Sequence, residues 1–175
     1  MTDSFAHDLH LDRIRDGDRI DLSADDGERR RIAERLGLES LDRLEAHAAL
    51  SRNDAIIRAQ GRLQASLSQS CVVTGDPVAS HIDEPFELMF VPGPTSAAPD
   101  EEVELGAADC DVVFHDGARI DLGGAIADTL ALCVDPYPRS AGADAALKEA
   151  GIMTEAEASP FAALAALKRG ERDET

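Results

Sequence analysis

The dominant signal in this chain is an alternation of apolar and polar positions. Leu44, Ala46, Ala48 and Leu50 share one parity, and Arg43, Glu45 and His47 share the other. The rhythm returns at Ala55, Ile57, Ala59, Gly61, Leu63, Ala65 and Leu67, opposed by Arg58, Gln60, Arg62, Gln64, Ser66 and Ser68. It returns again at Val78, Ile82, Phe86, Leu88 and Phe90. A period of two is that of a strand with one buried face, so three half-buried antiparallel strands are predicted. Thr74-Gly75-Asp76-Pro77 predicts that the last two form a long hairpin closing near Cys71.

Shorter signals flank this block. Phe5, Leu9 and Leu11 share a parity and suit a first strand; Arg15 to Arg19 reads as a turn about Gly17, before a short strand at Ile20 and Leu22. Ser23 is the expected cap of a helix with Asp25 and Asp26 in its first turn, carrying Ile32, Ala33 and Leu36 and stopping at Gly37. Residues 111–120 predict a short hairpin about Asp116-Gly117. Asp121 then caps a helix carrying Ile126, Leu130 and Cys133, which Pro136 and Pro138 end. Ala143 to Ala150 and the segment opened by Ser159-Pro160 predict two weak helices. The expected fold is α+β: a mainly antiparallel sheet, a partly closed barrel being one form of it, with a few flanking helices. All 175 residues are expected to form a single domain, with a flexible acidic loop at about 92–110 and a loosely packed tail from about 140.

Composition narrows the function classes. Only 3% of residues are aromatic and none is Trp, so stacking platforms for bases are scarce. The net charge of -18 opposes general affinity for nucleic acid, which depends on Lys and Arg displacing counterions. The charge is uneven: residues 1–62 hold 14 acids against 11 Arg, and residues 63–175 hold 21 acids against 6 Lys or Arg. RNA contact is therefore expected from the first third and contact with a basic protein from the rest. The polar, acidic beginning of the chain does not read as a signal peptide, no apolar run approaches a membrane span, and three cysteines make no disulfide framework. A cytoplasmic location is expected.

Several segments together resemble the YceD family of large-ribosomal-subunit RNA accumulation proteins. They are Gly61-Arg62-Leu63-Gln64-Ala65, Gln69-Ser70-Cys71-Val72-Val73-Thr74 and Pro85-Phe86, followed by Ile120-Asp121-Leu122-Gly123 and Asp135-Pro136-Tyr137-Pro138-Arg139. The resemblance implies a role in accumulation of large-subunit ribosomal RNA, beside a small basic ribosomal protein. It supplies no biochemical activity. Many family members look like Cys-x-x-Cys at the position of Cys71-Val72-Val73-Thr74 and carry further cysteines where this chain reads Pro-Tyr-Pro-Arg-Ser-Ala-Gly-Ala-Asp. Four cysteines would suit a structural zinc. Only Cys71 remains here, so no metal site and no cofactor is carried over.

Each candidate residue has a plain alternative. Cys71 reads as a small strand-end residue rather than a nucleophile, since none of the five His is near it in sequence. Cys133 reads as core and Cys110 as a loop residue. His7 and His10 fall on opposite strand faces and make no metal pair. Asp121-Leu122-Gly123-Gly124 reads as a helix cap with a tight turn. Arg29-Arg30-Arg31 reads at least as well as a salt-bridged helix surface as a phosphate grip, given the acids around it. Arg58 and Arg62, flanked by Gln60 and Gln64, are less compensated in sequence and are the better RNA contacts. Asp100, Glu101, Glu102 and Glu104 are candidates for a basic partner, or a solvated loop.

The leading expectation is a non-catalytic ribosome-assembly factor that binds a basic large-subunit protein, precursor 23S ribosomal RNA, or both. The alternatives are an enzyme using Cys71 or a carboxylate site, and a barrel that binds a small ligand.

Overall fold

The computed structural model describes Phe5, residues 7–93 and residues 111–152. They fall into two compact units, one of residues up to 69 with 79–136, the other of residues 70–78 with the chain from 137 onward.

The first unit is built on β1 (Asp8–His10), β2 (Arg19–Ser23), α1 (Asp26–Leu36), β3 (Ser40–Asn53), β4 (Ile56–Ser70), β5 (Pro77–Pro92), β6 (Asp111–His115), β7 (Arg119–Asp121) and α2 (Leu122–Cys133). The fold is α+β. A five-stranded sheet has the order β2-β3-β4-β5-β6, and β1 pairs with β7 in a separate ribbon. The β2–β3 and β3–β4 pairings are antiparallel; β6 runs parallel to β5, from Leu88 opposite Asp111 to Pro92 opposite His115. β2 and β6 are the sheet edges among the described residues, so the strands do not close into a barrel.

The period-two pattern dictates which face is buried. Leu44, Ala46, Ala48 and Leu50 of β3 lie against the core with Ile57, Ala59, Leu63, Ala65 and Leu67 of β4, and with Ile82, Phe86, Leu88 and Phe90 of β5. Leu122, Ile126 and Leu130 of α2 complete this core and are fully buried. Leu41 and Leu44 both point inward although three residues apart, because an extra residue between Leu41 and Arg43 makes a β-bulge in the β3–β4 ladder. A bulge resets the side-chain parity at that point.

Two local expectations are corrected. Ser23 does not cap α1; it belongs to β2, opposite Glu45. The cap is Asp25, whose carboxylate accepts the Glu28 N–H at 2.8 Å while Glu28 accepts the Asp25 N–H at 2.8 Å. This reciprocal capping box leaves fewer helix-end amides unpaired, and Asp25-x-x-Glu28 was its sequence signature. The hairpin expected about Asp116-Gly117 does not form: β6 joins β5 and β7 joins β1. The chain is redirected by Asp116, whose carboxylate accepts the N–H groups of Ala118 at 2.8 Å and Arg119 at 3.1 Å, and by Gly117 at φ +85°. Alternation predicts a strand but not its partner, so the sequence fits either pairing. α1 stops where expected, at Gly37 in the left-handed region.

In the second unit, α3 (Ala143–Glu149) ends before Gly151, which has positive φ. The helix expected from Ser159-Pro160, the acidic loop residues Asp100, Glu101, Glu102 and Glu104, and Cys110 lie outside the described residues.

Candidate functional site

Residues 120–124 account for themselves structurally. The Asp121 carboxylate accepts the Gly124 N–H at 2.9 Å, capping α2, and also the His7 N–H at 3.1 Å. Leu122 donates its own N–H to the His7 carbonyl at 3.2 Å and is fully buried. A Cβ on Gly123 would overlap the Phe5 carbonyl oxygen and come within 2.9 Å of the His7 nitrogen. The motif is thus the place where the N-terminal segment crosses the start of α2. Gly61 has the same role in the sheet: a Cβ there would overlap the His47 carbonyl and stand 2.9 Å from the Phe86 ring. Its parity is the one read from sequence; the close approach is to a backbone, which sequence does not reveal.

The outward face of the sheet carries Arg58 and Arg62. Arg62 meets Asp83 at 2.7 Å, and Arg58 meets Glu87 at 3.1 Å. On the same face Arg43 pairs with Glu45 at 2.7 Å and His47 with Asp21 at 2.7 Å. The Arg62 hydrogen bond holds the Asp83 carboxyl below the usual carboxylate range. The two arginines are therefore compensated, contrary to their sequence neighbourhood. The partners come from β5, across the ladder, where linear sequence cannot place them. Arg29 likewise meets Asp26 at 2.6 Å, and Arg30 donates to the Asp26 carbonyl at 3.0 Å, so this pair of arginines helps hold the first turns of α1.

In the second unit, Cys71 sits at the head of the turn Cys71-Val72-Val73-Thr74. The residue is 3% exposed, and its sulfur accepts N–H groups from Val73 at 3.4 Å, Thr74 at 3.4 Å and Ser140 at 3.2 Å. Val72 donates its N–H to the Pro138 carbonyl at 2.9 Å, which ties the two segments of the unit together. Donors aimed at sulfur favour the anion. The thiol is lowered from about 9.0 to about 6, with the Ser140 amide the largest cause, Thr74 next, and burial pulling the other way. The Thr74 hydroxyl also donates to Asp76 at 2.6 Å. Ser140 Oγ lies 3.1 Å from Thr74 Oγ1 and 3.4 Å from Asp76.

This cluster stands where the resemblance implies a zinc site in other family members. One sulfur, one carboxylate and two hydroxyls are a poor donor set for zinc, which prefers thiolate and imidazole. The groups also bond to one another rather than converge on a common point. The residues do not fit the metal. Among the described residues, no group of three or more His, Cys, Asp or Glu could hold a metal ion. Cys133, expected in the core, is partly buried on α2; desolvation raises its thiol. Pro136 and Tyr137 are exposed, and Pro138 beside them is buried.

These features define an α+β protein with a long-stranded sheet, a ribbon that locks the start of α2, and a sulfur-binding turn with no histidine among its hydrogen-bond partners. Residues 59–168 match the family described as large ribosomal RNA subunit accumulation protein YceD. The chain belongs to the YceD family. The match runs well past Arg139. No curated protein and no solved structure matches the chain. No helix among the described residues is long and apolar enough to cross a membrane.

Proposed function

We propose that this protein is a non-catalytic, cytoplasmic assembly factor that supports accumulation of large-subunit ribosomal RNA by binding a basic ribosomal protein, with contact to precursor 23S RNA secondary. Family membership over residues 59–168 carries the link to ribosomal RNA. The choice of a protein client rests on charge: residues 63–175 hold 21 acids against 6 Lys or Arg. The ion pairs of Arg58 and Arg62 weaken the RNA-first reading, because a paired arginine must give up its carboxylate before it neutralises a phosphate.

One observation favours the enzyme alternative: the lowered thiol of Cys71. Against it, Cys71 is a buried residue and the hydrogen-bond partners of its sulfur are amides rather than a base.

The test is direct binding of the purified protein to individual basic large-subunit proteins at moderate salt, beside a salt titration on ribosomal RNA. Tight RNA binding with no affinity for any basic ribosomal protein would overturn the proposal. So would turnover of RNA or a small ester that Cys71→Ala abolishes.

A further inference from the structure

The first unit carries an apolar groove between β6 and α2, with a volume of about 340 Å³. Its apolar lining includes Leu88, Val113, Ala125 and Leu132, and Leu132 is 78% exposed. One exposed leucine is ordinary. An exposed leucine beside an apolar cleft and a sheet edge is a docking geometry.

The polar members of the lining are Asp111, Asp121, Asp128 and Thr129, and no Lys, Arg or His lines it. Asp121 is committed to capping α2. Asp128 meets Arg35 at 3.2 Å, yet its side chain remains 73% exposed. Asp111 is exposed on β6. The rim is therefore negative, which repels phosphate and attracts cationic side chains.

The third feature is the strand itself. Among the described residues β6 is an edge strand of the five-stranded sheet. Phe114, 64% exposed, projects from β6 on the parity opposite Val113. An extended segment laid along such an edge gains main-chain hydrogen bonds and places alternate side chains on the two faces.

We infer that this groove receives a basic segment of a protein partner, an apolar side chain of that segment resting against Val113 and Leu132 and its Lys or Arg residues meeting Asp111 and Asp128. The inference rests on the proposed protein client and names where it is held.

The probes are two synthetic peptides of equal Lys content, one with interspersed Leu and Val, the other with Ser in their place. Binding is read by fluorescence anisotropy for wild type, Leu132→Ser, the pair Asp111→Asn with Asp128→Asn, and Glu34→Gln on the exposed side of α1 as a charge control. Circular dichroism confirms that each variant folds, and sedimentation reports self-association. Wild type should prefer the apolar-containing peptide. Leu132→Ser and the double Asn variant should each weaken it by about tenfold, with Glu34→Gln unchanged. The same ranking should appear with the basic large-subunit proteins that bind. Equal affinity across all variants would overturn the groove assignment and leave the protein-client proposal standing. Absence of binding to every peptide and every basic protein would overturn both. Self-association lost in Leu132→Ser would give the groove to a second copy. Displacement of the peptide by an RNA oligonucleotide in a Leu132-dependent manner would give it to RNA.

Discussion

Two segments that carry the family resemblance do different kinds of work. In residues 120–124 each polar group has a structural use: Asp121 caps α2 and holds His7, while Gly123 makes room for the Phe5 backbone. In the Cys71 turn the donors converge on a sulfur and shift its chemistry. The first segment resists substitution because atoms would overlap. The second is arranged around the charge of one atom, with three N–H donors aimed at the sulfur. A motif is therefore not evidence of a reactive site until its polar groups have been traced to their partners.

The largest expected effect breaks the first segment. Gly123→Ala places a Cβ on the Phe5 carbonyl, and Gly61→Ala places one on that of His47. Backbone cannot rotate away as a side chain does. Each substitution should cost about 3 kcal/mol, the upper end of ordinary overpacking, read as a lower urea midpoint. A midpoint equal to wild type for Gly123→Ala would show that the N-terminal segment does not cross α2 as described, and one for Gly61→Ala that the His47 backbone does not approach β4 as described. Asp121→Ala comes next. It removes one acceptor from two amides and should cost about 1–2 kcal/mol, with Asp121→Asn recovering much of the loss.

The second segment should respond to pH. The folded Cys71 thiol lies near 6, against about 9.0 for an ordinary thiol. A depressed acid contributes stability that is complete above its unfolded value and is lost as pH falls through its folded value. The stability advantage of wild type over Cys71→Ala should therefore grow from about pH 6 to about pH 9. Thiolate ultraviolet absorbance should titrate near the lower of these values. Titration at the ordinary thiol value would mean that the amides do not hold the sulfur. Elemental analysis of the untagged protein should find no stoichiometric zinc. One zinc per chain would contradict the poor fit of the donor set.

Much of the sheet was legible because burial on one face imposes a period of two, and Leu44 to Leu50 and Ile57 to Leu67 obey it. Gly37 and Asp121 were legible because helix ends use a small chemical vocabulary. Strand partners were not, as β6 and β7 show, because adjacent short strands carry no register in their own sequence. The Cys71 cradle was not legible for a related reason. Ser140 reaches the sulfur across 69 positions, and the groups involved are backbone amides, which every residue carries. The groove beside β6 likewise depends on Leu88, Val113 and Leu132, three ordinary core-type residues until the fold leaves one of them in solvent.

The smallest expected effect concerns the outward arginines. Sequence makes them the best RNA contacts; the structure pairs Arg62 with Asp83 and Arg58 with Glu87. If the pairs persist, replacing both arginines by Ala should change the salt dependence of RNA binding by less than one phosphate contact, a slope of about 0.9 for duplex or about 0.7 for single strands. The converse variant is more informative. Asp83→Asn with Glu87→Gln keeps size and hydrogen-bonding capacity while releasing both positive charges. Affinity for ribosomal RNA should then rise at low salt, and the slope should steepen by up to two contacts. Ion pairs at a surface are weak enough for a polyanion to open them, so the opposite outcome has a clear meaning. A wild-type slope that falls by two contacts on loss of both arginines would show that Asp83 and Glu87 yield to phosphate. The outward face of β4 would then be an RNA interface held shut by its own carboxylates, and the protein-first reading would lose its main support on this side of the sheet.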